Sequence, residues 1–260
     1  MVEKLMLNRF VLITFIMVLS KINPVFAEPF LAGLNAIDRN HFATAFRSFK
    51  PMAEEGIAEA QNNIGFLYQN GFGVKRSYAN AITWYTRAAE QGLAEAEHNL
   101  GMLNYRGHGL SQNFTIAKRW FTRAAEKGLG PSHYMLGLIF YNGDSAAKNP
   151  ERARIHFRDG AKAGDAKSQY MYSYMLLAGE GKKVTASNSR FGALFNQEGA
   201  TDEEYKLALL WSKLSARNGH EDAEELVEYA RLHVDSDEIK ISNSLADRCL
   251  ETQYEKCPVI

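Results

Sequence analysis

A repeat with a period of 36 residues is the strongest constraint on how this chain can fold. Glycine recurs at that spacing as Gly65, Gly101 and Gly137, and Ser173 takes the fourth place. A small residue stands five positions before each of them; these residues are Ala60, Ala96, Ser132 and Ser168. A fixed period of some tens of residues is typical of solenoid proteins, in which each unit packs only against its neighbours. The chain is therefore expected to present an extended surface rather than a single deep pocket.

Each repeat has the pattern of two helices joined by a glycine turn. In the unit at 58–92, apolar residues recur with helical spacing in both halves; they are Ala60, Ile64, Leu67 and Tyr68, then Ala81, Ile82, Tyr85, Ala88 and Ala89. Gly71 can end the first helix, and Ser77 can cap the second. Gly65 lies inside the first helix, where glycine costs ~1 kcal/mol relative to alanine, so we expect another backbone to pass close to it. One such pair cannot bury its apolar face alone, so the units must stack.

Four sequence boxes recur along the chain and characterise the repeat. They are a Leu-Gly-x-x-Tyr-like box, a Gly-x-Gly turn, an Ala-x-x-Trp-Tyr/Phe box and an Ala-Ala-x-x-Gly end. The stretch from Trp84 to Gly92 is repeated almost letter for letter from Trp120 to Gly128. This pattern resembles Sel1-like repeats, the 36-residue relatives of tetratricopeptide repeats. The resemblance implies an all-α fold, a right-handed α-solenoid of helix-turn-helix repeats with C-terminal capping helices.

The register of the repeat divides the chain into segments. Ala45 and Gly56 keep the register of a first unit that otherwise diverges. Ala208 follows Ala153 by 55 residues instead of 36, and the extra stretch, rich in Ser, Asn and Gly, predicts a loop within the last unit. The predicted segments are a signal peptide at 1–27, a divergent N-terminal repeat at 28–56, Sel1-like repeats at 57–181, a loop insertion at 182–201, the second helix of the last repeat at 202–220 and a C-terminal helical cap at 221–260.

The first 27 residues have the composition of a secretory signal peptide. Lys4 and Arg9 make a basic start, and the ten residues from Phe10 to Leu19 are apolar with one threonine among them. Val25-Phe26-Ala27 supplies a cleavage sequence, so the mature chain is expected to begin at Glu28. A membrane anchor is the alternative, but the apolar run is well short of the ~20 residues that a spanning helix needs. We therefore predict a periplasmic or secreted protein with no membrane span after the signal is removed.

Cys249 and Cys257 are the only cysteines, and export would permit a disulfide between them. In a continuous helix their Cα atoms would lie ~12 Å apart, whereas a disulfide needs less than ~7 Å. A bridge therefore requires the chain to leave the helix and fold back, which Pro258 favours. Two free thiols are the alternative.

No set of residues has the spacing of a catalytic, cofactor or metal site. The seven histidines are scattered, and none forms a His-Glu-x-x-His set or a paired Cys/His site. Gly107-His108-Gly109 is similar to a phosphate loop, but the equivalent turns at 71–73 and 179–181 identify it as part of the repeat. Zero net charge and the absence of a basic stripe argue against a nucleic-acid binder. We predict a protein that is not an enzyme and needs no cofactor or metal.

The first helix of each pair supplies the candidate binding surface. In the related tetratricopeptide fold this helix lines a concave groove, and by that resemblance three positions per unit should face it. They are, row by row, Asn62, His98, Tyr134 and Tyr170; Phe66, Met102, Leu138 and Tyr174; and Gln69, Tyr105, Tyr141 and Leu177. Tyrosine combines a large contact area with a hydroxyl, which suits binding of a peptide or a glycan. The alternative is that superhelical curvature packs these side chains against one another.

The favoured function is a non-catalytic scaffold or regulator that binds another protein or a peptide in this groove. Exported bacterial Sel1-like proteins are associated as a family with signalling regulation, envelope assembly and host interaction. An enzyme is the second hypothesis, because some cysteine-rich Sel1-like proteins are described as binding or hydrolysing β-lactams. Those proteins have a cysteine pair in every repeat, and the repeats here have none. A cell-wall glycan-binding module is the third hypothesis, supported by the tyrosine rows alone.

Overall fold

The computed structural model describes residues 24–144, 147–181 and 200–259, and within these ranges it contains twelve helices and no strand. The helices are α1 (Pro24–Asp38), α2 (Phe42–Glu54), α3 (Ala58–Asn70), α4 (Tyr78–Glu90), α5 (Ala94–Arg106), α6 (Phe114–Ala125), α7 (Gly130–Asn142), α8 (Pro150–Lys162), α9 (Ala166–Leu177), α10 (Asp202–Arg217), α11 (Ala223–Arg231) and α12 (Ser236–Glu251). Most helices that follow one another within a compact unit pack together. The prediction of an all-α repeat solenoid is confirmed.

The helices fall into two compact units, Met1–Gln112 and Asn113–Ile260. In the first unit α1 packs on α2, and α3 packs on both α2 and α4. In the second unit α7 packs on α8 and α9 on α10. The first helices α7, α9 and α11 of this unit also contact one another in that order, and α12 packs on α10. The second unit therefore places three first helices side by side.

The turns follow from glycine and from capping side chains. Gly71, Gly107 and Gly143 end α3, α5 and α7 in the left-handed conformation, with φ of 73°, 70° and 81°, which glycine adopts without steric cost. The second helix of a pair then begins after Ser77 or Asn149, whose side chain accepts a hydrogen bond from a backbone N–H in the first turn. These short signals set the reversal within each pair.

The glycines inside the first helices make room for an aromatic ring. A Cβ added to Gly65 would lie 2.7 Å from the ring of Tyr85, and one added to Gly137 would lie 2.4 Å from the ring of Phe157. Both rings are fully buried. The expectation that a second backbone approaches Gly65 is therefore wrong, because the close neighbour is the side chain of a second helix.

The last pair of helices packs differently, because serine stands where the earlier repeats have glycine. The Ser173 hydroxyl donates a hydrogen bond to the carbonyl oxygen of Ala208, at 2.9 Å. Trp211 is fully buried and packs edge-on against Tyr172, with 5.9 Å between the ring centroids. In this pair, the Ser173 hydrogen bond and the packing of Trp211 on Tyr172 thus take the place of the glycine–ring contact.

Both ends of the segment that holds the predicted insertion are bound to α8. Arg154 donates to the carbonyl oxygen of Glu180 at 3.1 Å and forms an ion pair with Glu204 at 2.9 Å. Glu204 in turn completes a capping box with Thr201 at the start of α10. Most of the predicted insertion at 182–201 lies outside the described residues, which resume at 200.

The predicted signal peptide lies mainly outside the described residues, which begin at 24. The expected cleavage point between Ala27 and Glu28 falls in the first turn of α1. Export therefore stays a prediction. None of the helices in the described part of the chain has the length and hydropathy needed to cross a bilayer.

The C-terminal helix is followed by a turn that a disulfide closes. Gln253 and Tyr254 adopt positive φ values of 51° and 68° and reverse the chain after α12. Cys249 and Cys257 are joined by a disulfide with their Cα atoms 5.2 Å apart, so the chain does leave the helix and fold back. The turn directs Tyr254 onto Gly164, and the side chain of Asn218 donates to the Tyr254 hydroxyl at 2.6 Å.

We expect Gly137→Ala to lower the free energy of unfolding by about 1–3 kcal/mol, because the new methyl group overlaps the Phe157 ring. This cost exceeds the ~1 kcal/mol that alanine gains over glycine in a helix. Urea denaturation measures the change. Phe157→Leu alone and combined with Gly137→Ala completes a double-mutant cycle, and the combination should recover part of the loss. A stabilised Gly137→Ala protein would show that the ring does not require the glycine.

Loss of the disulfide is expected to destabilise the second unit by about 2–3 kcal/mol, because the bridge limits the unfolded chain over a short loop. Thermal unfolding with and without a reducing agent measures the effect, and Cys249→Ala with Cys257→Ser reproduces it without a reagent. Tyr254→Phe in the oxidised protein is the control, since it removes one hydrogen bond of about 1 kcal/mol. Equal melting temperatures before and after reduction would contradict the prediction.

Candidate functional site

The twelve predicted binding residues are all at least partly accessible. Phe66 and Tyr174 are 36% and 37% exposed, and the other ten are half-buried. We call the surface formed by these positions the first-helix face. It has a portion on α3 and α5 in the first unit and a portion on α7 and α9 in the second. Partial exposure leaves room for a ligand, but it also means that many of these side chains have neighbours within the protein.

In the first unit, polar members of the first-helix face make hydrogen bonds within a repeat and between two repeats. The Asn62 side chain accepts a hydrogen bond from the side chain of Asn99 at 2.9 Å, which links α3 to α5. Gln69 accepts from the hydroxyl of the buried Tyr85 at 3.2 Å. Phe66 is the predicted binding residue of α3 that is exposed. On α3, Phe66 is therefore the ring that is most accessible to a partner.

In the second unit, two of the predicted tyrosines pack against neighbouring rings. Tyr134 lies against the buried Phe157, with centroids 5.9 Å apart. Tyr170 stacks on His220, with centroids 4.3 Å apart and an angle of 6° between the planes. Leu138 and Leu177 pack against the hydrophobic core around Trp211. At these positions the side chains have packing partners within the protein, and their binding to a partner stays a prediction.

Tyr174 is the exposed tyrosine of α9, and its hydroxyl belongs to a small polar network. The Tyr141 hydroxyl hydrogen-bonds with the side chains of Tyr174 and Glu180. Burial, followed by the charge of Glu180, raises the pKa of Tyr141 to about 12. The network ties the Tyr174 hydroxyl to Tyr141, which holds the exposed Tyr174 ring in place.

Helix α11 extends the first-helix face, which the sequence-based assignment of 221–260 to a cap did not foresee. Glu225, Tyr229 and Leu232 follow Gly219 by the same distances at which Tyr170, Tyr174 and Leu177 follow Gly164. All three are exposed, Tyr229 to 48% and Leu232 to 82%. The buried positions agree with this register, because Ala223, Val227 and Ala230 occupy the places of Ser168, Tyr172 and Met175. The spacing from Gly219 is the signal that could have identified them.

A pair of histidines lies between α7 and α8. The Nδ1 atoms of His133 and His156 are 3.4 Å apart, and the His156 ring stacks on Phe140 at 5.4 Å. Burial lowers the pKa of both, to about 4 for His156, with further lowering there by the charge of His133. Both imidazoles are therefore neutral at pH 7. In the described part of the chain, no three His, Cys, Asp or Glu side chains are grouped so that they could hold a metal ion.

The repeats match a known family over most of their length. The Sel1 repeat model matches five segments, at 58–93, 94–129, 130–165, 166–190 and 192–220. The chain belongs to the Sel1 repeat family. Sel1 repeat proteins are typically scaffolds for protein–protein interaction, and they are generally non-catalytic.

Solved structures of Sel1 repeat proteins have the same architecture. A Sel1 repeat protein from Oxalobacter formigenes is 28% identical over 80% of this chain and 79% of its own, with a TM-score of 0.62. A protective antigen present in uropathogenic Escherichia coli strains, which displays an SLR fold, is 22% identical. That match covers 86% of this chain and 54% of the antigen, with a TM-score of 0.56, and it shows the fold alone. Among curated proteins, none matches the sequence significantly.

Acid is expected to destabilise this Sel1 repeat protein through its buried histidines. Burial lowers the pKa of His98 and of His156 to about 4. Between pH ~6.5 and 4 the unfolded chain therefore binds protons at these histidines that the folded chain does not. The free energy of unfolding is highest above pH ~6.5 and decreases as the pH falls towards 4. His156→Trp introduces the tryptophan that the two preceding repeats have at this position. It should reduce the acid-induced decrease in the free energy of unfolding by about 2 kcal/mol. Urea denaturation at pH 7 and pH 4.5 measures it, with His41→Trp as an exposed control; an unchanged pH dependence would contradict the prediction.

Proposed function

We propose that this Sel1 repeat protein is an exported, non-catalytic scaffold or regulator that binds another protein or a peptide along the concave surface of its first helices. The exposed rings of Tyr174 and Tyr229 on the adjacent helices α9 and α11 are the observation that supports it most. Tyrosine is enriched in protein interfaces and in the residues that dominate their binding energy. The disulfide and the signal-like start of the chain support a periplasmic or secreted location.

The tyrosines of the second unit have two different roles in this proposal. Tyr134 and Tyr170 pack on Phe157 and His220 and stabilise the fold. Tyr174 and Tyr229 supply the contact area for a partner, and both are held in place from within the protein. Tyr229 hydrogen-bonds with Tyr205 and lies 4.8 Å from the His233 ring. Rings that are already ordered lose less conformational freedom on binding, which favours affinity.

The second helices provide a comparison surface in the same unit. Ile116 on α6 and Ile155 on α8 are 39% and 40% exposed. They are isolated aliphatic residues and do not lie on the first-helix face. Removing them deletes a similar kind of exposed apolar area without touching the proposed binding residues.

We expect Tyr174→Ala with Tyr229→Ala to weaken partner binding by about thirtyfold or more, the effect of losing at least 2 kcal/mol of anchor contacts. The partner is first isolated with the full chain as bait in an extract of the compartment where the protein resides, and its affinity is then measured by calorimetry. The melting temperature should fall only slightly, because both rings are exposed and each gives up one hydrogen bond within the protein. By contrast, Tyr134→Ala with Tyr170→Ala should lower the melting temperature.

Ile116→Ala with Ile155→Ala is the matched control and should leave the affinity unchanged. The proposal fails if this control weakens binding while the Tyr174 and Tyr229 variant does not. Retention of a cell-wall polysaccharide in place of a protein would favour the glycan-binding alternative.

A further inference from the structure

The part of the first-helix face that lies on α9 and α11 has an uneven charge, although the chain as a whole is neutral. Between Gly219 and Arg231 the sequence contains five carboxylates, Glu221, Asp222, Glu224, Glu225 and Glu228. Arg231 is the single Lys or Arg in this stretch, and it is already paired with Glu228 at 2.8 Å. Lys167 is the only charged residue of α7 and α9. The face is therefore acidic at its α11 end.

Two of these carboxylates lie next to Tyr170 of the face. The Tyr170 ring stacks on His220, which immediately precedes the acidic stretch. Asp222 and Glu225 act electrostatically on the Tyr170 hydroxyl and, after burial, raise its pKa. Glu180 is hydrogen-bonded in the network with Tyr141 and Tyr174. Negative charge therefore lies near the tyrosines in two places. Glu180 follows the C-terminal end of α9, and Asp222 and Glu225 lie at the start of α11.

Aromatic rings elsewhere in the protein already have a cation from the same chain. Arg87 lies over Trp84 at 4.6 Å, and Arg123 lies over Trp120 at 4.8 Å. On the face itself, the Nζ atom of Lys167 is 5.9 Å from the Tyr134 ring. In the described part of the chain, no such cation lies over Tyr174 or Tyr229. These two rings are accessible to a cation that a partner supplies.

We propose that the α9–α11 portion of the first-helix face binds a basic segment of a partner protein, one that is rich in lysine or arginine. Its cations would lie over the exposed rings of Tyr174 and Tyr229 and pair with the carboxylates of Asp222 and Glu225. Cation–π contacts and opposite charges act together here, because a carboxylate beside a ring attracts the same group that the ring face attracts. The inference rests on the proposed function, since it names the chemistry of the partner that this face takes.

A fluorescently labelled hexa-arginine peptide, titrated with the full-length protein, tests the inference. We expect saturable binding that weakens as salt is added, because exposed charges are screened. Hexa-glutamate and a Gly-Ser peptide of the same length should not bind. Asp222→Asn with Glu225→Gln should weaken hexa-arginine binding at least tenfold, and Tyr174→Ala with Tyr229→Ala should weaken it by a similar factor. Melting temperatures confirm that each variant is folded.

Glu126→Gln with Glu151→Gln is the matched control, because it removes the same charge from exposed positions away from the face. It should leave the affinity for hexa-arginine within a factor of two. Equal weakening by the control and by the Asp222 and Glu225 variant would overturn the inference, since binding would then follow net charge alone. Absence of hexa-arginine binding would overturn it as well.

Affinity measurements with the native partner test this inference and the proposed function separately. A partner whose affinity depends on Tyr174 and Tyr229 but not on Asp222 and Glu225 would overturn the inference and leave the proposed function standing. A partner that depends on neither pair would overturn the proposed function, even if hexa-arginine binds.

Discussion

The repeats depend on one contact, in which an aromatic ring of the second helix packs directly on a glycine of the first helix. At Gly65 and at Gly137 there is no room for a Cβ, because the rings of Tyr85 and Phe157 lie against the helix backbone. Close packing of this kind allows little variation in the distance between paired helices. It also sets which side of each first helix is buried. The opposite side of that helix stays accessible, so the first-helix face in each unit is a consequence of the core.

The last helix pair shows how the same fold is kept when this contact is absent. Ser173 hydrogen-bonds to Ala208, and the buried pair of Arg154 and Glu204 binds α10 to α8. A buried ion pair adds little net stability, because desolvation offsets the attraction, but losing one partner is costly. Its value here is that it specifies where α10 begins after the long connection. With α10 in place, α11 packs beside α9 and continues the face.

The period of 36 residues was enough to predict the helix pairs, their turns and the capping by Ser77. It did not identify the neighbour of Gly65, because a glycine in a helix signals close approach without saying what approaches. The role of α11 was missed because the long connection breaks the register, and Tyr229 was counted with the cap. The role of Tyr170 could not be foreseen either, since its stacking partner His220 lies in the turn after α10, 50 residues further along the chain. That the twelve first-helix residues bind a partner stays a prediction.

A neutral protein with one acidic, tyrosine-lined region would recognise a partner at short range. Zero net charge gives little long-range attraction, and at physiological salt the field of exposed carboxylates extends only about 8 Å. Asp222 and Glu225 would therefore act mainly on groups that already touch the face. The exposed ring of Tyr229 is ordered before any partner arrives: Tyr205 stacks on His233 at 4.2 Å, and both contact Tyr229. Such preorganisation lowers the entropic cost of binding. Packing within the repeat thus prepares the surface, and the local charge selects what binds there.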